Sequence, residues 1–142
     1  MKCMVRALVL GCSLAGSGMA VSANEPVKAV YHLTAGVQEA ARAMRNIRNH
    51  LDADPSAKIV VVANGAGIDF LLEGAKFASG SPFTGPIGEL ANRGVEFRVC
   101  ENTLKTREIS PDKVAMEATV VPSGVAEAAR LQARERFAYI KP

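Results

Sequence analysis

Lys58 is followed by Ile59-Val60-Val61-Val62-Ala63, five apolar residues in a row, four of them β-branched. Side chains alternate between the two faces of a strand, so an unbroken apolar run leaves neither face to water. Such a run fits a central strand of a parallel sheet, with helices covering both sides. A parallel neighbour is not reached by a tight hairpin, so the chain must return through a crossover, usually a helix.

The rest of the sequence supplies that alternation. Val27 to Leu33 (VKAVYHL) reads as a first strand. Thr34 precedes a helix from about Gly36 to Leu51, in which Val37, Ala40, Met44, Ile47 and Leu51 recur at spacings of three and four. Glu39, Arg42, Arg45 and Arg48 fall off that stripe, the pattern of an amphipathic helix packed on a sheet. Pro55 disfavours helix at Asp54 and ends it. After the run at 58–63 come a turn, Asn64 to Gly67, an apolar segment from Ile68 to Ala78 that reads as helical, and a loop from Ser79 to Gly85. A short helix follows from Pro86 to Arg93, closed by Gly94.

Val95 to Cys100 reads as the next strand, with Val95, Phe97 and Val99 on one face and Glu96, Arg98 and Cys100 on the other. Leu104 to Arg107 continues as a short helix or loop. Ser110-Pro111-Asp112 looks like a helix start running to about Glu117. Thr119 to Val121 is a brief strand, Val125 to Arg136 a final helix and Phe137 to Ile140 a terminal strand. Strands alternating with helices imply a parallel α/β sheet with helices on both faces, and ligands in such folds bind at the carboxyl ends of the strands. Cys100, His32 to Thr34 and Asn64 to Gly67 all lie at such ends.

Composition matters most at the amino terminus. Lys2 and Arg6, the uncharged run from Ala7 to Met19 and the small residues Val21-Ser22-Ala23 have the layout of an export signal, with cleavage expected before Asn24. The run is too short for a comfortable membrane span. Leu10-Gly11-Cys12 also resembles a lipobox, which would instead leave a lipidated Cys12 at the mature terminus. The expected division is a signal peptide at 1–23 and one domain at 24–142, periplasmic or secreted, with no membrane association after cleavage. Without the signal, fifteen basic side chains face fourteen acidic ones, and no basic tract points to nucleic acid. Cys3 and Cys12 leave with the signal, so Cys100 is the one thiol of the mature chain and cannot form an internal disulfide.

A free cysteine is often just a packed small hydrophobe. Position favours more at Cys100, since backbone N–H groups of a following helical turn would help its thiolate. Arg98, about 7 Å away on the same face, together with Lys105 and Arg107, would add positive potential. His32 is a candidate rim residue, although a histidine ending an apolar strand is commonly structural. His50, near a helix carboxyl end, reads as structural. The Gly65-Ala66-Gly67 turn lacks the third glycine of a dinucleotide fingerprint and the lysine of a P-loop. One cysteine and two scattered histidines make no metal site, and no cofactor is expected.

Four stretches carry a family resemblance: VYHLTAG, KIVVVANGAGIDFLL, GVEFRVCENTLKTREI and ATVVPSGVAEAARLQARERFAYIKP. The chain resembles the DsrE/DsrF-like proteins, in their exported single-domain branch, over about Val27 to Pro142. The resemblance implies a three-layer α/β/α fold on a five-stranded, mainly parallel sheet, assembled as homo- or hetero-oligomers such as trimers and hexamers. It also implies a role for Cys100, because in the cytoplasmic sulfur-relay members a cysteine in the matching segment carries sulfur as a persulfide. Those members tend to have an Arg-Gly pair after the cysteine helix, where this chain has Arg107-Glu108. The expected function is carriage or transfer of sulfane sulfur on Cys100, a sulfurtransferase-like or carrier role exchanging with a donor or acceptor protein. His32, Asn64, Gly65, Arg98 and Asn102 are the expected binding residues around it. The alternative is a non-catalytic oligomeric module that binds a small ligand or partner at the same rim, with Cys100 as packing.

Overall fold

A computed structural model describes residues 25–142. The expected signal segment and the Cys12 lipobox lie outside the described residues. Five strands, β1 (Lys28–Leu33), β2 (Lys58–Ala63), β3 (Glu96–Cys100), β4 (Ala118–Val121) and β5 (Ala138–Ile140), form one sheet in the order β4-β3-β2-β1-β5. Every neighbouring pair is parallel. The run at 58–63 is the central strand, with Ile59 to Ala63 all buried. This is the α/β class that the alternating pattern implied, and the sheet is wholly parallel.

Strand order decides which connections take which face. From β1 to β4 the chain steps one way across the sheet; from β4 it must return to the far edge to place β5 beside β1. Crossovers of one hand then put the return helix on the opposite face from the earlier ones. Helix α1 (Val37–Ala53), the 3-10 segment Gly65–Leu71, α2 (Thr84–Asn92) and α3 (Glu101–Thr106) pack with the odd-numbered strand residues Tyr31, Val61, Phe97 and Val99 in the main core. Helix α1 contributes Ala40, Met44, Ile47 and Leu51, and burying its three large side chains stabilises by about 1.5–3 kcal/mol each. Helix α4 (Gly124–Glu135) lies on the even-numbered face, where Leu131 meets Val30, Val60, Val62 and Phe137 in a second, smaller core.

Two segments differ from expectation. The stretch read as helix at 68–78 is a 3-10 segment to Leu71 followed by irregular chain. Gly74 and Gly80 have φ of +79° and +87°, left-handed values that a right-handed helix excludes. The apolar residues are buried by the loop instead, with Phe77 stacked on Phe83 at 3.7 Å between ring centres. The helix read at 110–117 is a single 3-10 turn, Pro111–Lys113. Its backbone is committed elsewhere: Glu73 N–H donates to Lys113 C=O and Ala115 N–H to Leu71 C=O, so the chain pairs with the preceding loop.

Candidate functional site

Consecutive connections diverge between β3 and β4. The segment after β3 goes to the main-core face and α4, after β4, to the other, leaving a crevice at the carboxyl ends of two adjacent strands. Cys100 ends β3 and is paired in register with Val121 of β4. The crevice is a cleft of about 310 Å3 lined by Asn64, Gly65, Cys100, Asn102, Thr103, Thr106, Arg107, Ser123 and Val125.

Cys100 itself is 4% exposed, and it is a free thiol. Burial pushes its pKa up. The polar hydrogens of Gly124 N–H, the Thr103 hydroxyl, Thr103 N–H and Asn102 N–H, the last also 3.4 Å from the Pro122 carbonyl oxygen, outweigh that and hold the thiol below its ordinary value. The donors come from both sides of the crevice. Asn102 and Thr103 form the first turn of α3, while Gly124 opens α4, where the Ser123 hydroxyl accepts from Ala126 N–H. A side chain at Gly124 would sit 3.1 Å from the Asn64 Cβ and 3.2 Å from the Cys100 Cβ, so glycine is what lets that amide reach the sulfur. Thr103 is oriented in turn: its hydroxyl oxygen accepts from Gly65 N–H at 3.0 Å, leaving its proton for the sulfur.

The electrostatic expectation is corrected. The guanidinium of Arg98 donates to Glu96 at 2.6 Å and also to Glu127, so its charge is spent on two carboxylates. Arg130 and Arg98 hold the Glu127 carboxyl below the usual range. Lys105 pairs with Glu101 at 3.0 Å and Arg107 with Asp69 at 2.6 Å. The thiolate is therefore helped by neighbouring N–H and O–H dipoles, with the nearby cations neutralised by partners of their own.

The remaining expected residues fall into two layers. Asn64, Gly65 and Asn102 line the cleft with Cys100. His32 is 7% exposed and lies behind Asn64, with Nε2 2.6 Å from the Asn64 Oδ1 and Nδ1 2.9 Å from the Tyr139 hydroxyl. Thr103, Ser123 and Gly124 escaped the sequence reading. The three-residue spacing from Cys100 to Thr103, one helical turn, was a usable signal. Ser123 and Gly124 reach the site only through the pairing of β3 with β4, which no local pattern encodes.

Among the described residues, no group of three or more His, Cys, Asp or Glu is placed to hold a metal ion, and no helix is long and apolar enough to cross a membrane. None of the curated proteins matches the chain. A family profile, that of the DsrE/DsrF-like proteins, matches residues 28–142. The chain belongs to the DsrE/DsrF-like family. Among solved structures, the protein of unknown function MTH1491 from Methanobacterium thermoautotrophicum is 31% identical, covers 82% of this chain and 99% of its own, and has a TM-score of 0.73. The ychN protein from E. coli shares the fold at 13% identity, with 82% and 100% coverage and a TM-score of 0.64. DsrE/DsrF-like proteins are associated with sulfur relay. Where relay members tend to have glycine after arginine, Glu108 has φ of +54°, the left-handed conformation that glycine adopts without strain.

Proposed function

We propose that this DsrE/DsrF-like protein is an exported carrier of sulfane sulfur, with Cys100 as the loading atom. The observation that carries the reading is the cleft at the carboxyl ends of β3 and β4 that Cys100 lines, where the amides of Gly124, Thr103 and Asn102 and the Thr103 hydroxyl hold its thiol below the ordinary value. Nucleophilic sulfur chemistry needs an ionised, reachable thiol. In loading, the Cys100 thiolate attacks the outer sulfur of a donor persulfide RS–SH. The Cys100 Sγ–S bond forms, the donor S–S bond breaks, RS⁻ leaves with the electron pair, and the proton stays on the transferred sulfur. Unloading is the same step with an acceptor thiolate attacking the outer sulfur of Cys100–S–SH, which returns the Cys100 thiolate. No oxidant is consumed in either direction.

The proposal includes a signal peptide at 1–23, a mature domain from residue 24, and residence in the periplasm or outside the cell. It also includes a homo-oligomer, a trimer or hexamer. Support for assembly comes from the even-numbered face of the sheet, which a single helix covers, and from Val125, 60% exposed at the lip of the Cys100 cleft. The test is intact mass after treatment with polysulfide. The wild type gains sulfur that a reducing thiol removes, and Cys100→Ser gains none. A wild type that stays unmodified overturns the carrier reading.

One observation favours the rival, a ligand- or partner-binding module without covalent chemistry: Cys100 is only 4% exposed. On that reading the native thiol resists small thiol reagents and Cys100→Ser retains every binding property.

A further inference from the structure

The even-numbered face of the sheet carries a file of polar side chains that crosses four adjacent strands. Tyr139 on β5 is in register with Val30 of β1, two residues before His32. His32 is in register with Val62 of β2, two residues before Asn64. Ala63 is in register with Val99, so Asn64 and Cys100 are the next residues on neighbouring strands. The period of two places all four side chains on one face, and the Cβ atoms of Asn64 and Cys100 both abut Gly124.

The hydrogen bonds along this file have one consistent direction. The Asn64 Oδ1 only accepts, so His32 Nε2 carries the proton and donates to it at 2.6 Å. In the neutral ring with the proton on Nε2, His32 Nδ1 is the lone-pair nitrogen and accepts from the Tyr139 hydroxyl at 2.9 Å. With the Asn64 oxygen turned to the ring, the NH2 of the same carboxamide faces away from His32, and Asn64 lines the Cys100 cleft. The sulfur of Cys100 already has its own donors, none of them from Asn64.

We propose that His32, braced by Tyr139, is a positioning residue that turns the Asn64 carboxamide so that its NH2 donates to the outer sulfur of a persulfide on Cys100. The assignment rests on the carrier reading. Asn64 is the group that touches the bound sulfur, and His32 acts through it. An anionic outer sulfur extends beyond the donors that serve Sγ, and a fixed amide at the cleft wall supplies one for it.

The test is a pair of titrations on the full mature chain, one of the free Cys100 thiol and one of the protein loaded with polysulfide, followed by the absorbance of the thiolate and of the persulfide anion. Asn64→Ala and His32→Leu are each expected to raise the persulfide pKa by about one pH unit, the worth of one charge-assisted hydrogen bond. The free thiol titration stays as in the wild type. The double variant shifts no further than Asn64→Ala alone. His32→Gln, which keeps a donor for Asn64 and an acceptor for Tyr139, restores the wild-type value. Where His32→Leu is too unstable to load, Tyr139→Phe takes its place, with the same non-additivity. Additive shifts, equal shifts in both titrations or no shift overturn the assignment while leaving the carrier reading intact. A wild type that does not load overturns both.

Discussion

The sulfur of Cys100 owes its character to the polar hydrogens that surround it. Gly124, Asn102 and Thr103 present N–H donors and Thr103 a hydroxyl, while Arg98, Lys105 and Arg107 are engaged by Glu96, Glu127, Glu101 and Asp69. Neighbouring dipoles stabilise a charge on the sulfur itself and do little for a second charge elsewhere on a reagent. Free cations would have attracted an anionic reagent. Alkylation of native Cys100 is therefore expected to be about tenfold faster with neutral iodoacetamide than with iodoacetate, after correction for each reagent's rate on a free thiol; a charge-paired cleft supplies no compensation for the carboxylate. Equal corrected rates would mean that the ion pairs open to leave a cation facing the cleft.

At the scale of elements, the position of Cys100 was legible and its neighbourhood was not. The parity of Glu96, Arg98 and Cys100 and the helical turn after the strand could be read because both depend on local periodicity. The donor from Gly124 depends on the pairing of β3 with β4, and the ion pair between Arg98 and Glu127 on α4 crossing the even-numbered face. Those are facts of topology, set by contacts distant in sequence. The segment at 68–78 misled for another reason: its apolar content suited a helix, but Gly67, Gly74 and Gly80 fit a tight path. Gly67 passes so close to β1 that an added Cβ would lie 2.2 Å from the Leu33 carbonyl oxygen. That contact is with backbone and has no flexible end to move. Gly67→Ala is expected to destabilise the fold by about 3 kcal/mol or more, measured as a lowered midpoint in urea; a loss below about 0.5 kcal/mol would show that the 3-10 segment is not held against β1 as described.

For the whole molecule, the two faces of the sheet divide the work. The odd-numbered face holds the main core under α1, α2 and α3, with Phe70, Phe83, Phe97, Met44 and Ile47 fully or almost fully buried. The even-numbered face holds the smaller core, the polar file from Tyr139 to Asn64, and the Cys100 sulfur. This division was implicit in the sequence as soon as strands of mixed parity, Glu96 to Cys100 above all, alternated with the all-apolar run at 58–63. What the sequence left open was the strand order, and with it the crevice where the connections after β3 and β4 part.

The fold lowers the pKa of Cys100, the one cysteine among its described residues. A depressed pKa has a definite sign: the thiolate is present above the folded value, reactivity falls as pH drops through it, and the stabilisation from the held charge is complete only above the unfolded value. The most direct measurement is the rate of Cys100 alkylation by iodoacetamide in the native protein as a function of pH. A single inflection is expected below the ordinary thiol value of about 8.5, moving upward in Thr103→Val, where the hydroxyl donor is lost. An inflection at or above the ordinary value, or one unmoved in Thr103→Val, would contradict it.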